Sequence, residues 1–270
     1  METLCQANNK ETTMIRPTAQ WLKDKKLSPI VHVTDIETFS TADNAQIPSI
    51  AIVTVDLYQR KILDHLYVTV SLEQQRDRAV DEGTMAFWAK QEIESPEAYA
   101  ELFDPANKSK QIQLDEALHQ VRYYLEENTP KDTRCQLVGN GSEFDNVILA
   151  NAFDELAIEK PWPFRGNQSL RTAVLFGQLI AGIDPRYDVE FKGFRHHALH
   201  DATHEAECLL EVFSTLSGVS NVNIEEEQQD MFHASLVKAL NKPKDCDLDL
   251  ADLLVEVENN RKELEHVCSH

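Results

Sequence analysis

The sequence predicts an α/β fold in which a mixed five-stranded sheet is flanked by helices. Three observations point to it. Three apolar, β-branched runs lie close together between residues 29 and 71, as expected for an antiparallel meander. Longer segments in which apolar residues recur about every 3.6 positions follow them. Two further short runs separate the later helical segments and complete the sheet.

The strands are located by their apolar runs and by the residues that bound them. Pro48 stands just before the second run, where its missing N–H does no harm. Asp56 to Lys61 has the composition of a hairpin turn. The predicted strands cover residues 29–35, 49–57, 61–71, 135–139 and 169–174.

The helices are predicted from the 3.6-residue period of their apolar residues. The clearest case is the helix predicted at 113–128, whose apolar positions are Leu114, Ala117, Leu118, Val121, Tyr124 and Leu125. The other predicted helices cover residues 19–26, 74–91, 95–102, 143–156 and 201–216.

The sequence predicts one domain with two extensions. The domain covers residues 29–218, after an N-terminal arm of residues 1–28. An acidic helical extension, residues 219–270, follows it, with helical patterns at 225–241 and 247–266. These two helices either fold back on the domain or fray off it, which the pattern favours, or they form a contact with a protein partner or a second copy of the chain.

Composition narrows the class of protein. Of the 270 residues 42% are hydrophobic, and no apolar run is long enough for a transmembrane helix. The N-terminus lacks the layout of a signal peptide, and the five cysteines are scattered, so we expect a reduced cytoplasmic protein. The net charge of −20 argues against a broad electrostatic surface for nucleic acid. The cysteines are Cys5, Cys135, Cys208, Cys246 and Cys268.

Two carboxylates end the first predicted strand. Asp35 and Glu37 are two residues apart, so in a strand their side chains lie on the same face. Paired acids repel each other and are costly to bury unless a cation neutralises them. Because hard divalent ions prefer oxygen ligands, the pair predicts a Mg²⁺ or Mn²⁺ site.

Two later segments supply acids of the same kind. Asp145 stands near the start of a predicted helix, where the helix dipole favours a carboxylate. Asp201 opens another helix, and His196, His197 and His200 precede it. The histidines also allow a zinc site, but no cysteine stands at ligand spacing and the acids suit a hard ion better.

These segments resemble the three motifs of the DEDDh 3′–5′ exonucleases, which have an RNase H-like fold. Asp-Ile-Glu-Thr at 35–38 resembles the first motif, and Ser-Glu-Phe-Asp-Asn at 142–146 resembles the second. His-His-Ala-Leu-His-Asp-Ala at 196–202 resembles the third. The resemblance covers about residues 29–216.

Within that superfamily the chain is most similar to the T-even phage exonuclease A branch and its mycobacterial exoribonuclease relative. The residues that carry this likeness are a T-x-x-x-W element at 84–88 and an N-Q-x-x-R-T element at 167–172. The shared carboxylate motifs serve DNA and RNA alike. The phage likeness slightly favours DNA.

The resemblance implies a 3′–5′ exonuclease that uses two Mg²⁺ or Mn²⁺ ions and releases nucleoside 5′-monophosphates from single-stranded or 3′-ended nucleic acid. His196, five residues before Asp201, is the implied general base, and His197 is the adjacent alternative. The implied metal ligands are Asp35, Glu37, Asp145 and Asp201.

Further residues are predicted to contact the substrate. Trp88 either stacks on a base or is a core aromatic beside Phe87, and Thr84 either contacts substrate or caps its helix. Arg171 is expected to meet a phosphate. Glu205, one helical turn after Asp201, is either a supporting residue or a solvated acid. The predicted contacts are Thr38, Thr84, Trp88, Asn140 and Arg171.

Two other functions are compatible with the sequence. One is a non-catalytic protein that binds nucleic-acid ends on the same fold. The other is an accessory protein that acts through the acidic extension. Because all five catalytic positions are filled, the nuclease is favoured.

Overall fold

The computed structural model describes residues 17–218, and these form a mixed five-stranded sheet covered by helices. The strands are β1 Ile30–Glu37, β2 Ser49–Asp56, β3 Lys61–Thr69, β4 Leu137–Gly139 and β5 Asn167–Ser169. They lie in the order β3-β2-β1-β4-β5. Most of the predicted arm, the whole predicted extension, Cys5, Cys246 and Cys268 lie outside the described residues.

The α-helices within residues 17–218 are α1 Ala19–Lys25, α2 Glu82–Glu94, α3 Pro96–Phe103, α4 Leu114–Asn128, α5 Asp145–Glu155, α6 Leu170–Phe176, α7 Pro185–Asp188 and α8 Ala198–Leu216. Six of these eight α-helices lie in segments predicted to be helical, whereas α6 and α7 were not predicted as helices. The predicted α/β class and mixed sheet are confirmed.

The pairing of β1 determines where the candidate site can form. β1 pairs with β2 antiparallel and with β4 parallel, and it lies between them. β4 ends at Gly139, opposite Thr34. The last three residues of β1, 35–37, therefore run past the end of β4.

Alternation along β1 separates two layers of core. Ile36 packs with the apolar residues of α4 and α5 on one face. Val31 and Val33 pack on the other face, against α8. The residues of α8 in this contact are small and recur every fourth position, which lets the helix lie close to the sheet. They are Ala198, Ala202 and Ala206.

Two predicted elements differ from the structure. The helix predicted at 74–91 begins only at Glu82, because the Asp81 carboxylate caps it by accepting the N–H of Thr84 at 2.7 Å. Before it, Gln75 is buried and bonds both the N–H and the carbonyl of Ile47. The strand predicted at 169–174 is β5 followed by α6, because β4 offers only three residues to pair with.

Composition also predicted that the chain has no transmembrane helix and that its cysteines are reduced. Between residues 17 and 218 no helix is long and apolar enough to cross a membrane. Cys135 and Cys208 are buried and carry free thiols. The cytoplasmic location stays a prediction.

Candidate active site

The candidate active site begins where β1 runs past β4. Asp35 and Glu37 alternate with Ile36, so both lie on the face that α8 covers. Both side chains are half-buried. Val31 and Val33 precede them on the same face and fix the register, because a slip of one residue would move all four side chains to the opposite face.

The first turn of α8 supplies a third carboxylate. Asp201 accepts a hydrogen bond of 2.6 Å at Oδ2 from the backbone N–H of His196. His196 has a left-handed backbone with φ of 63°, which turns the loop back over the helix start. The structure brings Asp201 to the end of β1, since carboxylate oxygens of Asp35, Glu37 and Asp201 lie within 4.8 Å of one another.

Asp145, the first residue of α5, is almost fully buried beside this group. Gly139 permits that position, because a Cβ there would clash with the side-chain oxygen of Asn146 and lie 3.1 Å from the Asp145 carboxylate. Asn146 fastens the helix start to β4 by donating to the carbonyl of Leu137 at 2.9 Å. The backbone N–H of Ile36 donates to the Asp145 carboxylate.

Glu205 adds a fifth carboxylate to the cluster. It follows Asp201 by one turn of α8 and is only 7% exposed. The side-chain amide of Asn140 donates to it, whereas its Oε2 has no hydrogen-bond partner among the described residues. Burial rules out a solvated acid. The four-residue spacing from Asp201 is the signal that the sequence offers for this residue.

Burial and mutual repulsion disfavour charge on these acids. Burial raises the pKa of Asp35 well above its ordinary range, and repulsion from Glu205 and Glu37 raises it further. Mainly through burial, the pKa of Glu37 rises to about 8 and that of Asp145 to about 6. Burial also raises the pKa of Asp201.

The donor set fits a divalent cation. Carboxylate oxygens are the ligands that Mg²⁺ and Mn²⁺ prefer. Within residues 17–218, none of the five acids forms a salt bridge with a lysine, arginine or histidine. A bound cation would supply the missing positive charge and keep the acids ionised at neutral pH.

The histidines before α8 have different surroundings. The ring of His196 is half-buried and lies edge-on to Phe87, with centroids 4.9 Å apart. His197 is buried between Tyr67 and His200, at centroid distances of 4.6 and 4.3 Å, and burial lowers its pKa to about 4. The His197 ring is thus part of the packing under the loop, which favours His196 as the proton acceptor.

The sequence matches a family model described as the 3′–5′ exoribonuclease Rv2179c-like domain over residues 31–213. The chain belongs to this family of 3′–5′ exonucleases. The matched residues include every carboxylate of the cluster, and the resemblance to DEDDh exonucleases is confirmed. The narrower likeness to the phage branch stays a prediction. No protein among those with curated descriptions matches the sequence significantly.

Several solved nuclease structures are similar to this exonuclease. The nuclease domain of 3′hExo, a DEDDh family member bound to rAMP, aligns with a TM-score of 0.50 at 11% identity, covering 69% of this chain and 92% of that one. S. pombe Pop2p in its Mg²⁺- and Mn²⁺-bound form has a TM-score of 0.49 at 13% identity, and the alignment covers 76% of this chain and 89% of that one. An exonuclease I has a TM-score of 0.49 at 14% identity, and the alignment covers 69% of this chain and 43% of that one. At these identities the similarity concerns the fold alone.

A cavity of about 350 Å³ adjoins Glu37 in this exonuclease, and Phe87 and Phe144 line it. Trp88 also borders the cavity, but it is 1% exposed and its Nε1 donates to the carbonyl of Thr38 at 3.0 Å. Stacking of a base on Trp88 is therefore corrected to a core role, because neighbouring aromatic side chains cover the indole. The ring of Phe87 is more accessible, with 38% of the residue exposed.

The two predicted threonines make local hydrogen bonds. The hydroxyl of Thr38 donates to the carbonyl of Ser40 at 2.9 Å, and that of Thr84 donates to Asp81 at 2.9 Å. Thr84 is not the helix cap, because Asp81 has that position. Both threonines nevertheless line the cavity beside Glu37.

Asn140 and Arg171 are neighbours of Glu205 in the cluster. Arg171 donates its backbone N–H to the carbonyl of Asn140 at 3.1 Å and its guanidinium to Glu143 at 3.1 Å. The Arg171 side chain remains 65% exposed. Arg171 can thus still reach a phosphate, whereas the Asn140 amide is engaged by Glu205.

Proposed function

We propose that this exonuclease removes nucleotides from the 3′ end of RNA as nucleoside 5′-monophosphates and requires two Mg²⁺ or Mn²⁺ ions. The observation that best supports this is the close group of Asp35, Glu37 and Asp201 oxygens, with Asp145 beside it. RNA is favoured because the matching family is described by exoribonuclease activity. DNA, which the phage likeness favours, is the competing substrate.

The carboxylates are the metal-binding part of the proposed mechanism. Asp35, Glu37, Asp145 and Asp201 would hold the ions at the end of β1. When bound, divalent ions make a water more acidic and neutralise charge on the scissile phosphate and its leaving oxygen. The buried position of Asp145 and the short bond from His196 to Asp201 hold these ligands in place before substrate arrives.

His196 is the proposed general base. A ring nitrogen of His196 can accept the proton of the attacking water, since a positioned imidazole is a common general base. Its backbone bond to Asp201 keeps the loop next to the carboxylates, and Phe87 supports the ring from the side.

The cavity beside Glu37 is the proposed site of the terminal nucleotide. Phe87 and Phe144 offer apolar surface for the base, and Thr38 and Thr84 line the same space. Arg171 is proposed to contact a phosphate. Because the net charge is −20, we expect contacts with only a few terminal nucleotides and strong dependence on metal.

Matched RNA and DNA oligonucleotides, labelled at either end, test this function. We expect metal-dependent loss from the 3′ end, release of 5′-mononucleotides, faster turnover of RNA, and no activity in EDTA or with Asp35→Ala. Equal or faster turnover of DNA would reverse the substrate assignment. Binding of 3′ ends without cleavage would indicate an end-binding protein instead.

A further inference from the structure

Glu205 is a buried acid with an unused oxygen. Its carboxylate accepts one hydrogen bond from Asn140, and Oε2 has no partner among the described residues. A carboxylate that is 93% buried with a free oxygen is costly, because desolvation is not repaid by a hydrogen bond or an ion pair. A ligand that supplies positive charge would remove that cost.

Neutralisation from within the protein is weak at this position. Arg171 acts on Glu205 electrostatically, but its guanidinium bonds Glu143 and its side chain is 65% exposed. Protonation of Glu205 is the alternative to a bound cation, and a metal titration distinguishes the two.

The position of Glu205 within the cluster shows what kind of ligand fits. α8 presents Glu205 one turn beyond Asp201, and repulsion from Asp145 and Asp201 acts on Glu205. Among the charged neighbours of Asp35, Glu205 exerts the strongest repulsion. Glu205 thus lies near Asp35, Asp145 and Asp201, but it is not part of the closest group, which Asp35, Glu37 and Asp201 form.

We propose that Glu205 is a fifth metal-binding carboxylate and that it holds the second divalent ion together with Asp35 and Asp145. The first ion is assigned to Asp35, Glu37 and Asp201. Asn140 fixes one oxygen of Glu205, which leaves Oε2 for the ion. This inference rests on the proposed metal-dependent function and specifies how the second ion is bound.

Calorimetric titration of the full-length chain with Mn²⁺ tests the proposal directly. Adenosine 5′-monophosphate is included to provide phosphate oxygens. We compare Glu205→Gln, which keeps the acceptor for Asn140, with Glu211→Gln, an exposed acid on the same helix. The wild-type chain and Glu211→Gln are expected to bind two ions, while Glu205→Gln weakens the second by about tenfold or more.

The first ion should bind all three proteins with similar affinity. Glu205→Asp, which keeps the charge with a shorter reach, should retain a weakened second site and supports the assignment if Glu205→Gln does not fold. Asp145→Asn should weaken the same ion as Glu205→Gln.

The outcomes separate this inference from the proposed function. If both ions bind Glu205→Gln as tightly as the wild type, or if the wild type binds a single ion that Glu205→Gln leaves unchanged, Glu205 is not a ligand although the metal site stands. A wild-type chain that binds no Mn²⁺ yet degrades RNA in EDTA overturns both.

Discussion

Two groups of polar side chains lie on β1, and they differ in whether the fold supplies their partners. His32 is fully buried near the start of the strand. Its Nδ1 is paired with the hydroxyl of Thr54 at 2.9 Å and its Nε2 with that of Thr129 at 3.0 Å. Thr54 is bonded in turn to the hydroxyl of Tyr124 at 2.9 Å. Burial lowers the pKa of His32 to about 4, so the ring is neutral and fully paired.

Asp35 and Glu37 lie three and five residues further along the same strand. Burial and repulsion raise the pKa of both, and no basic side chain pairs with either among the described residues. The protein completes the hydrogen bonds of His32 but leaves the acids uncompensated. A polar group whose hydrogen bonds the fold completes stabilises the structure, whereas clustered acids without a basic partner are groups that a bound cation would neutralise.

The largest effect should come from removing charge from the acids. Asp35→Asn keeps the size of the side chain but deletes a ligand shared by both proposed ions. We expect turnover of 3′-labelled RNA to fall by on the order of a thousandfold or more, because charge stabilisation is the main catalytic contribution. Circular dichroism should show an intact fold. Near-normal turnover with Asp35→Asn would remove the acids from the catalytic mechanism.

His196→Ala should produce the next largest effect. Loss of a general base lowers turnover by roughly a hundredfold or more. His197→Ala is the matched control, since its ring is packed between Tyr67 and His200. It should lower the melting temperature but retain most of the turnover of folded protein. The reverse pattern would transfer the base to His197.

Substitutions in the two groups of side chains should change the stability of the protein in opposite directions. Thr54→Val leaves Nδ1 of His32 without its partner and should reduce the free energy of unfolding by about 1–3 kcal/mol, with turnover unchanged. Glu37→Gln removes a repelling charge and should stabilise the protein in EDTA while abolishing turnover. Urea unfolding measures both. If Glu37→Gln destabilises the metal-free protein, the proposed repulsion is not significant.

The sequence predicted the acids well because their arrangement is local. The two-residue period of a strand places Asp35 and Glu37 on one face, and the start of α8 places Asp201 beyond a turn. That these elements meet depends on the fold, which the family motifs supplied. Period and motif together therefore predicted that Asp35, Glu37, Asp145 and Asp201 gather, but they left the role of Glu205 open.

The remaining parts of the site depend on tertiary packing. Trp88 is covered by Phe39 and Phe103, which are distant in sequence, so its burial has no local signal. The unpaired oxygen of Glu205 follows from where Asn140 lies after β4. The end of β4 likewise decides that β5 is short and that residues 170–176 form a helix. The periodicity of the apolar residues predicts none of these features.

The smallest expected effect is a pH dependence of the metal-free protein. Glu37 has a pKa of about 8 when folded and 4.5 ordinarily, so between these values the folded state binds a proton that the unfolded state has lost. Its contribution to stability is complete below pH 4.5 and is lost as the pH rises through 8. In EDTA, the melting temperature should therefore fall by a few degrees from pH 7 to pH 8.

This pH window isolates the acids from the paired histidine. The pKa of His32 is lowered to about 4, so its contribution is lost only as the pH falls below the ordinary value of 6.5. Burial raises the pKa of Cys135 to about 11, so this thiol also makes stability fall with rising pH, but mainly above pH 8. Saturating Mn²⁺ or Glu37→Gln should reduce the fall of the melting temperature between pH 7 and 8, and Thr54→Val should leave that fall unchanged. An equal fall in all four samples would show that the acids are not its source, and the contrast along β1 would then lose its electrostatic basis.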